Sequence, residues 1–233
     1  LVFRGFILRA LLPGGTTRAV LVSAALFGLV HLANVVYGAS LVVTLFQVVG
    51  VCAFGIGMAA INAHYNAPDR IRALEQDCRF TAHSGCNTFE YMLPRVTDRR
   101  VAVIGHFRGL ERLAEHCELT ILERKPQPGD LPDPACEDVL PRSDFVFMTA
   151  TTLINKTMPR LLALSRDAFV CIVGPTTPLT PLWFELGADL IGGLVVEDVS
   201  SVWPVLQEGG QHSFFDRGTR MVQLERRSGR TRG

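Results

Sequence analysis

The sequence predicts an α/β chain, a Rossmann-like parallel sheet preceded by an apolar helical hairpin that crosses a membrane. Three observations carry this reading. No Asp, Glu, Lys or Arg falls between Ala19 and Pro68, and Ala19–Val36 and Leu41–Ile61 lie within that span. Each approaches or reaches the roughly 20 apolar residues that a spanning helix needs. Beyond about residue 98, short unbroken apolar runs alternate with helical patterns, as in a parallel sheet buried on both faces. Charge divides the chain in the same way. Of 23 basic and 22 acidic residues, residues 1–61 hold only Arg4, Arg9 and Arg18 and no acid. The formal net charge of +1 excludes a polybasic nucleic-acid binder and an acidic solvating tail, so no nucleic-acid partner is expected.

Taken in order, Leu1–Leu12 reads as the end of a preceding helix, closed by Pro13-Gly14-Gly15, and the opening on Leu1 suggests a fragment. The two apolar helices follow, joined by a turn at Tyr37-Gly38-Ala39-Ser40. A pair of buried helices in a soluble protein is the competing reading, favoured by the small residues and His31. Gly57–Asn66 ends a helix, with Pro68 as its stop signal, and residues 67–98 read as polar and irregular. Strands are expected at Val101–Gly105, Leu119–Leu122, Phe145–Met148, Phe169–Val173 and Leu190–Ile191. Helices are expected at Gly109–His116, Met158–Ser165 and Val199–Gln207. The expected divisions are 1–57 (apolar helical segment), 58–98 (helix end and linker), 99–225 (sheet domain) and 226–233 (Arg-rich tail). The six cysteines are scattered, which favours a reducing setting. The expected location is a membrane, reached through residues 19–61, with the sheet domain in the cytoplasm.

An open α/β sheet binds ligands beyond the carboxyl ends of its strands, near a topological switch point. The strand ends here are glycine-rich or polar: Gly105-His106-Phe107-Arg108-Gly109, Glu123-Arg124, Thr149–Thr152 with Asn155, Gly174-Pro175-Thr176-Thr177, and Gly192-Gly193. The candidate ligand residues are Gly105, His106, Phe107, Glu123, Thr151, Asn155, Gly174, Pro175 and Thr177. Glycines admit a ligand close to the backbone, while His106 and Glu123 offer nitrogen and oxygen donors to a transition metal of open identity. Those two cannot complete a coordination shell, so further donors are expected from Asn62, Asn66, another domain or a chelating small molecule. Plainer roles compete: His106 orienting its loop, Glu123 pairing with Arg124 or Lys125, Asn62 and Asn66 bonding the adjoining loop, and Asn155 and the threonines fixing backbone. A nucleotide or adenosyl cofactor remains an alternative, because Glu123 stands 18 residues past Gly105, where a ribose acceptor is placed. Against it, the first loop lacks G-x-G-x-x-G and His106-Phe107-Arg108 would crowd a pyrophosphate. Cys78, His83 and Cys86, beside His64, form a C-x4-H-x2-C run with no second C-x-x-C.

Two resemblances add to this reading. Phe27-Gly28-Leu29-Val30-His31, followed by Leu32 and Asn34, and Arg4 within Leu1–Gly5 resemble the CPBP-type intramembrane metalloproteases, the CAAX-processing and bacteriocin-immunity group. That likeness covers about the first 55 residues. The group's paired glutamates and later H-x-x-x-N/D helix are absent, so Arg4, Phe27 and His31 stand as remnants and no peptidase activity is expected. From about Gly55 to Leu224, GMAAINAHYN, VAVIGHF, ILERKPQPGDLPD, TTLINKT and VGPTTPL occur in order and resemble the heavy-metal chelation family of anaerobic bacteria and archaea. This resemblance implies a Rossmann-like domain paired with a small enolase-N-terminal-like one, a ligand site between them, and binding of a transition metal or a metal-chelating small molecule. The chain departs from that pattern at Arg108, where the family usually has proline, and in lacking most of the first domain. A join of two families near Gly55–Met58 is expected, with no clear catalytic constellation.

Overall fold

The structure, a computed structural model, describes residues 40–107, 109–207, 215 and 217–227. In chain order its elements are α1 (Leu41–Tyr65), α2 (Pro68–Gln76), β1 (Phe80–Ser84), α3 (Thr88–Val96), β2 (Arg100–Ile104), α4 (Leu110–Ala114), β3 (Glu118–Glu123) and β4 (Leu131–Pro132). Then come α5 (Cys136–Val139), β5 (Phe145–Thr149), α6 (Thr151–Ile154), α7 (Met158–Leu164), β6 (Phe169–Val173), α8 (Leu182–Glu185), β7 (Leu190–Val196), α9 (Val199–Gln207) and β8 (Thr219–Arg226). Two 3-10 turns flank α5. The chain divides into two compact units, residues 1–64 with 196–219, and residues 65–195 with 220–233.

The second unit holds the sheet, in the order β1-β8-β7-β6-β5-β2-β3-β4. From β7 to β4 every pairing is parallel, and β1 runs antiparallel to β8. Alternation within each strand builds two cores. Ala102, Ile104, Val146, Met148, Val170 and Ile172 face one side, where Ile71, Met158, Leu161, Trp183 and Phe184 cover them. Val101, Val103, Phe147, Cys171 and Val173 face the other, under Met92 and Val96 of α3 and Leu110 and Leu113 of α4. Strands sealed on both faces cannot carry charge in mid-strand, which is why they read as continuous apolar runs. At the amino ends, Asp144 ties β5 to β2: its Oδ1 accepts from Arg100 Nη2 at 2.9 Å and its Oδ2 from Arg100 N–H at 3.0 Å. The Arg100 hydrogen bonds bring the Asp144 carboxyl down to about 2.

The stretch 67–98, expected to be irregular, instead carries α2, β1 and α3. Its elements are short and half-buried, so their apolar pattern is diluted by charge. α3 is opened by a capping box in which Asn87 Oδ1 accepts from Glu90 N–H at 2.9 Å and Glu90 Oε2 from Asn87 N–H at 3.4 Å. β8 was also unforeseen; it enters the sheet beside β1, and Glu225 on it accepts from Tyr91 and Arg95 of α3.

In the first unit, α1 is a single 25-residue helix. Among the described residues no helix is long and apolar enough to cross a membrane, so the expected hairpin finds no support here. Its first arm, 19–36, lies outside the described residues, as do Arg4, Phe27 and His31. Several side chains of the second arm, at 45–48, 51–56 and 58–59, are likewise outside them. The same unit contains α9, whose start is fixed by Asp198: Oδ1 accepts from Ser200 N–H at 2.9 Å.

Candidate functional site

The strand order places a switch point between β2 and β5, because from β2 the chain proceeds to β3 on one side and from β5 to β6 on the other. A crevice of about 190 Å³ opens there, at the carboxyl ends of β2, β3 and β5. It is lined by Gly105, His106, Phe107, Glu123, Thr151 and Asn155 of the expected set. Ile104, Leu122, Arg124, Asp133, Thr149, Thr152 and Thr157 complete the wall.

Each wall residue has a local cause. β2 ends at Gly105, whose φ of +98° suits glycine and whose N–H donates to Leu122 O at 3.0 Å. A Cβ there would come 3.1 Å from Thr149 Cγ2, so the turn and the crowding both call for glycine. β3 ends at Glu123, whose carboxylate joins two loops. Its Oε2 accepts from His106 N–H at 3.1 Å and its Oε1 from Arg124 N–H at 2.8 Å. β5 ends at Thr149, whose Oγ1 lies 3.0 Å from Thr151 Oγ1, while Thr152 Oγ1 donates to Thr149 O at 2.7 Å. Asn155 N–H closes this turn on Thr151 O at 3.2 Å. Phe107 turns its ring edge-on to Phe89, with centroids 5.3 Å apart, and so joins the crevice to the core beneath.

One residue beyond the sequence reading belongs to this group. Asp130, whose side chain is 4% exposed, brings Oδ2 to 3.4 Å from His106 Nδ1. It sits in the turn Gln127-Pro128-Gly129-Asp130, with Gly129 at φ +99° and Asp130 N–H donating to Gln127 O at 2.9 Å. Proline followed by a left-handed glycine is a type II turn signal, and it was present in the sequence.

The loop after β6 does not reach the crevice. Gly174, at φ +137°, accepts at its carbonyl from Thr177 N–H at 3.0 Å, turning the chain back. Gly174, Pro175 and Thr177 therefore line a different part of the sheet end. Asn66 fills that part: its Nδ2 donates to Thr177 O at 2.9 Å and Leu194 O at 3.1 Å, and its Oδ1 accepts from Leu179 N–H at 2.8 Å. All three amide bonds hold backbone, the loop-bonding role weighed for Asn66 beside ligand contact. Asn62 lies in the other unit, on α1. β7 passes close beneath; a Cβ on Gly192 would stand 2.1 Å from Thr88 Oγ1, and one on Gly193 would stand 2.8 Å from Thr177 O.

The donor set can be weighed directly. Among the described residues no group of three or more His, Cys, Asp or Glu could hold a metal ion. Cys78, His83 and Cys86 form no such group; the His83 ring instead lies 4.3 Å from that of Tyr91. In the crevice, each Glu123 oxygen already accepts from a backbone N–H group, leaving one imidazole and the Asp133 carboxylate among hydroxyls, an amide and the Arg124 side chain. Such a set does not fit a bare transition-metal ion, which takes four or more ligands. It fits a metal that arrives in a small chelate and offers an open position to one nitrogen.

Comparisons with known proteins agree with the architecture. Residues 1–67 match the profile described as type II CAAX prenyl endopeptidase Rce1-like. Residues 87–225 match the profile of DUF364, described as "putative heavy-metal chelation". A crystal structure of a DUF364 protein from Desulfitobacterium hafniense DCB-2 is 35% identical, with a TM-score of 0.65 over 76% of this chain and 70% of that one. A second, from Pyrococcus horikoshii, is 22% identical, with a TM-score of 0.60 over 75% and 69% of the two chains, and shows the shared fold. An uncharacterized protein of Methanocaldococcus jannaschii is 26% identical over 178 residues, 73% of this chain. The match spans 65% of that relative's length. With more than half of its residues inside one family profile, and that family's fold in its sheet, this chain belongs to the DUF364 family.

Proposed function

We propose that the crevice at the β2–β5 switch point binds a transition metal carried in a compact chelate, with His106 as the protein's ligand to it. The observation that carries this reading is the donor set, a single imidazole with threonine hydroxyls, Asn155, Arg124 and the Asp133 carboxylate around it, too few ligands for a bare ion. An ion with its own organic donors needs only one more, and polar groups around it can hold the chelate. A volume of about 190 Å³ corresponds to roughly six waters at their liquid share, enough for a compact complex. The family's description supports the metal. A nucleotide has less support, since Glu123 already accepts from two backbone N–H groups where a ribose diol would compete.

Titration of the full chain with nickel(II), alone and as its nitrilotriacetate complex, tests the reading. The complex is expected to bind, with His106→Ala weakening it at least about tenfold while the chain still unfolds cooperatively. Equal affinity in the two proteins would remove His106 from the site.

The match of residues 1–67 to an Rce1-like profile, with the charge-free stretch 19–68, supports a second reading, attachment of this segment to a membrane with the sheet unit on the cytoplasmic side. Carbonate-resistant retention in the membrane fraction is expected of the full chain. Release by carbonate would exclude an integral segment.

A further inference from the structure

We infer that Asp130 is the positioning residue for His106: it holds the imidazole with Nδ1–H toward its carboxylate and leaves Nε2 as the donor facing the crevice. The inference rests on the crevice reading above and deepens it, naming the nitrogen that the site offers.

Burial is the first support. A carboxylate with only 4% of its side chain exposed needs hydrogen-bond or charge partners. Gln127 N–H supplies one, at 2.9 Å from Oδ2. The other is the His106 ring, with Nδ1 at 3.4 Å, and among the described residues no Lys or Arg pairs with Asp130. The second support is that the ring itself is 34% exposed and belongs to the crevice wall, with Nδ1 the nitrogen beside Asp130. The third is that carboxylates meet the residue at both ends. Glu123 accepts from the His106 N–H, and the Asp130 carboxylate lies 3.4 Å from the ring's Nδ1, so main chain and side chain each face a separate acid, one at the β3 end and one in the turn that follows. A ligating histidine works in this way elsewhere: the carboxylate on one nitrogen fixes the tautomer and raises the basicity of the other.

The test uses the full chain labelled with 15N-histidine at about pH 8.5, the ring nitrogens' chemical shifts reporting which of them carries the proton. His106 is assigned by its loss in His106→Ala. The wild-type resonances are expected to report the Nδ1–H tautomer, and Asp130→Ala is expected to move them toward Nε2–H. Asp130→Asn keeps an acceptor oxygen and is expected to retain more of the original tautomer; it also serves if the alanine variant fails to fold. In parallel, Asp130→Ala is expected to weaken nickel–nitrilotriacetate binding by about 10–100-fold, with no added loss in a His106→Ala background. A His106 tautomer that is Nε2–H in the wild type, or unchanged in both Asp130 variants, overturns the inference. A tautomer that moves as expected in a chain with no affinity for the chelate upholds the positioning role and sinks the chelate-binding reading instead.

Discussion

The loops after β2, β3 and β5 and the loop after β6 emerge from the same end of one parallel sheet, yet only the first group leaves a crevice. In the first group the contacts that shape the loops run between neighbours at the rim: Glu123 accepts from two N–H groups, Asp130 approaches the His106 ring, and Thr149 bonds Thr151. The space between stays open. After β6, one side chain from 111 positions away enters the corresponding space and satisfies three backbone groups at once. A strand end in an α/β sheet is thus an opportunity for a ligand, and whether it is taken depends on what else reaches it. Here Asn66 fills one such end with protein and the His106 side remains for something else.

The largest way to break this contrast is Asn66→Ala. It strands Thr177 O, Leu194 O and Leu179 N–H, and is expected to cost about 2–4 kcal/mol by urea unfolding. His106→Ala leaves Asp130 with the Gln127 N–H and is expected to cost less, about 1 kcal/mol. Comparable losses in both would mean that the two loop sets do the same work. Next in size is Gly192→Ala, whose new methyl would meet Thr88 Oγ1 at 2.1 Å and cost about 1–3 kcal/mol. Adding Thr88→Ala removes that oxygen and leaves Thr88 Cβ at 3.3 Å, so the double variant should recover part of the loss. No recovery would show that the strain comes from the β7 backbone rather than from α3.

The smallest expected effect lies at the opposite end of the sheet and depends on pH. Asp144 has its carboxyl lowered from the ordinary 3.8 to about 2 by Arg100. Its stabilising contribution is therefore fully present above about pH 4 and is lost as pH falls toward 2. Solvent reaches both partners, with 54% and 33% of their side chains exposed, so the contribution is about 1 kcal/mol or less. The stability gap between wild type and Asp144→Asn should close across that window. A gap unchanged at pH 2 would assign it to the neutral hydrogen bonds alone.

Much of this was legible in the residues. The strands from β7 to β3 carry charge only at their ends, as at Arg100 and Glu118, because their middles are packed from both faces, and polar strand ends such as His106 and Glu123 stand out against them. What stayed hidden was long-range or half-buried. Nothing near Asn66 shows that its amide is consumed by Thr177, Leu179 and Leu194, since those carbonyls and that N–H lie more than 100 positions on. Asp130 was overlooked although Pro128-Gly129 announces a turn, because a turn alone does not say that its acid folds back onto the previous loop. β1 and β8 pair only with help from each other and from α3, so neither carries a long apolar run of its own.

The far edge of the sheet has a bearing on how copies of this chain could meet. β4 consists of two residues, and the second, Pro132, has no N–H to offer. Strands this short and proline-ended do not template the addition of another strand. An endless edge-to-edge fibre needs two receptive edges on every molecule. Among the described residues this sheet has at most one, along β1, so strand pairing between copies through these edges stops at a closed pair.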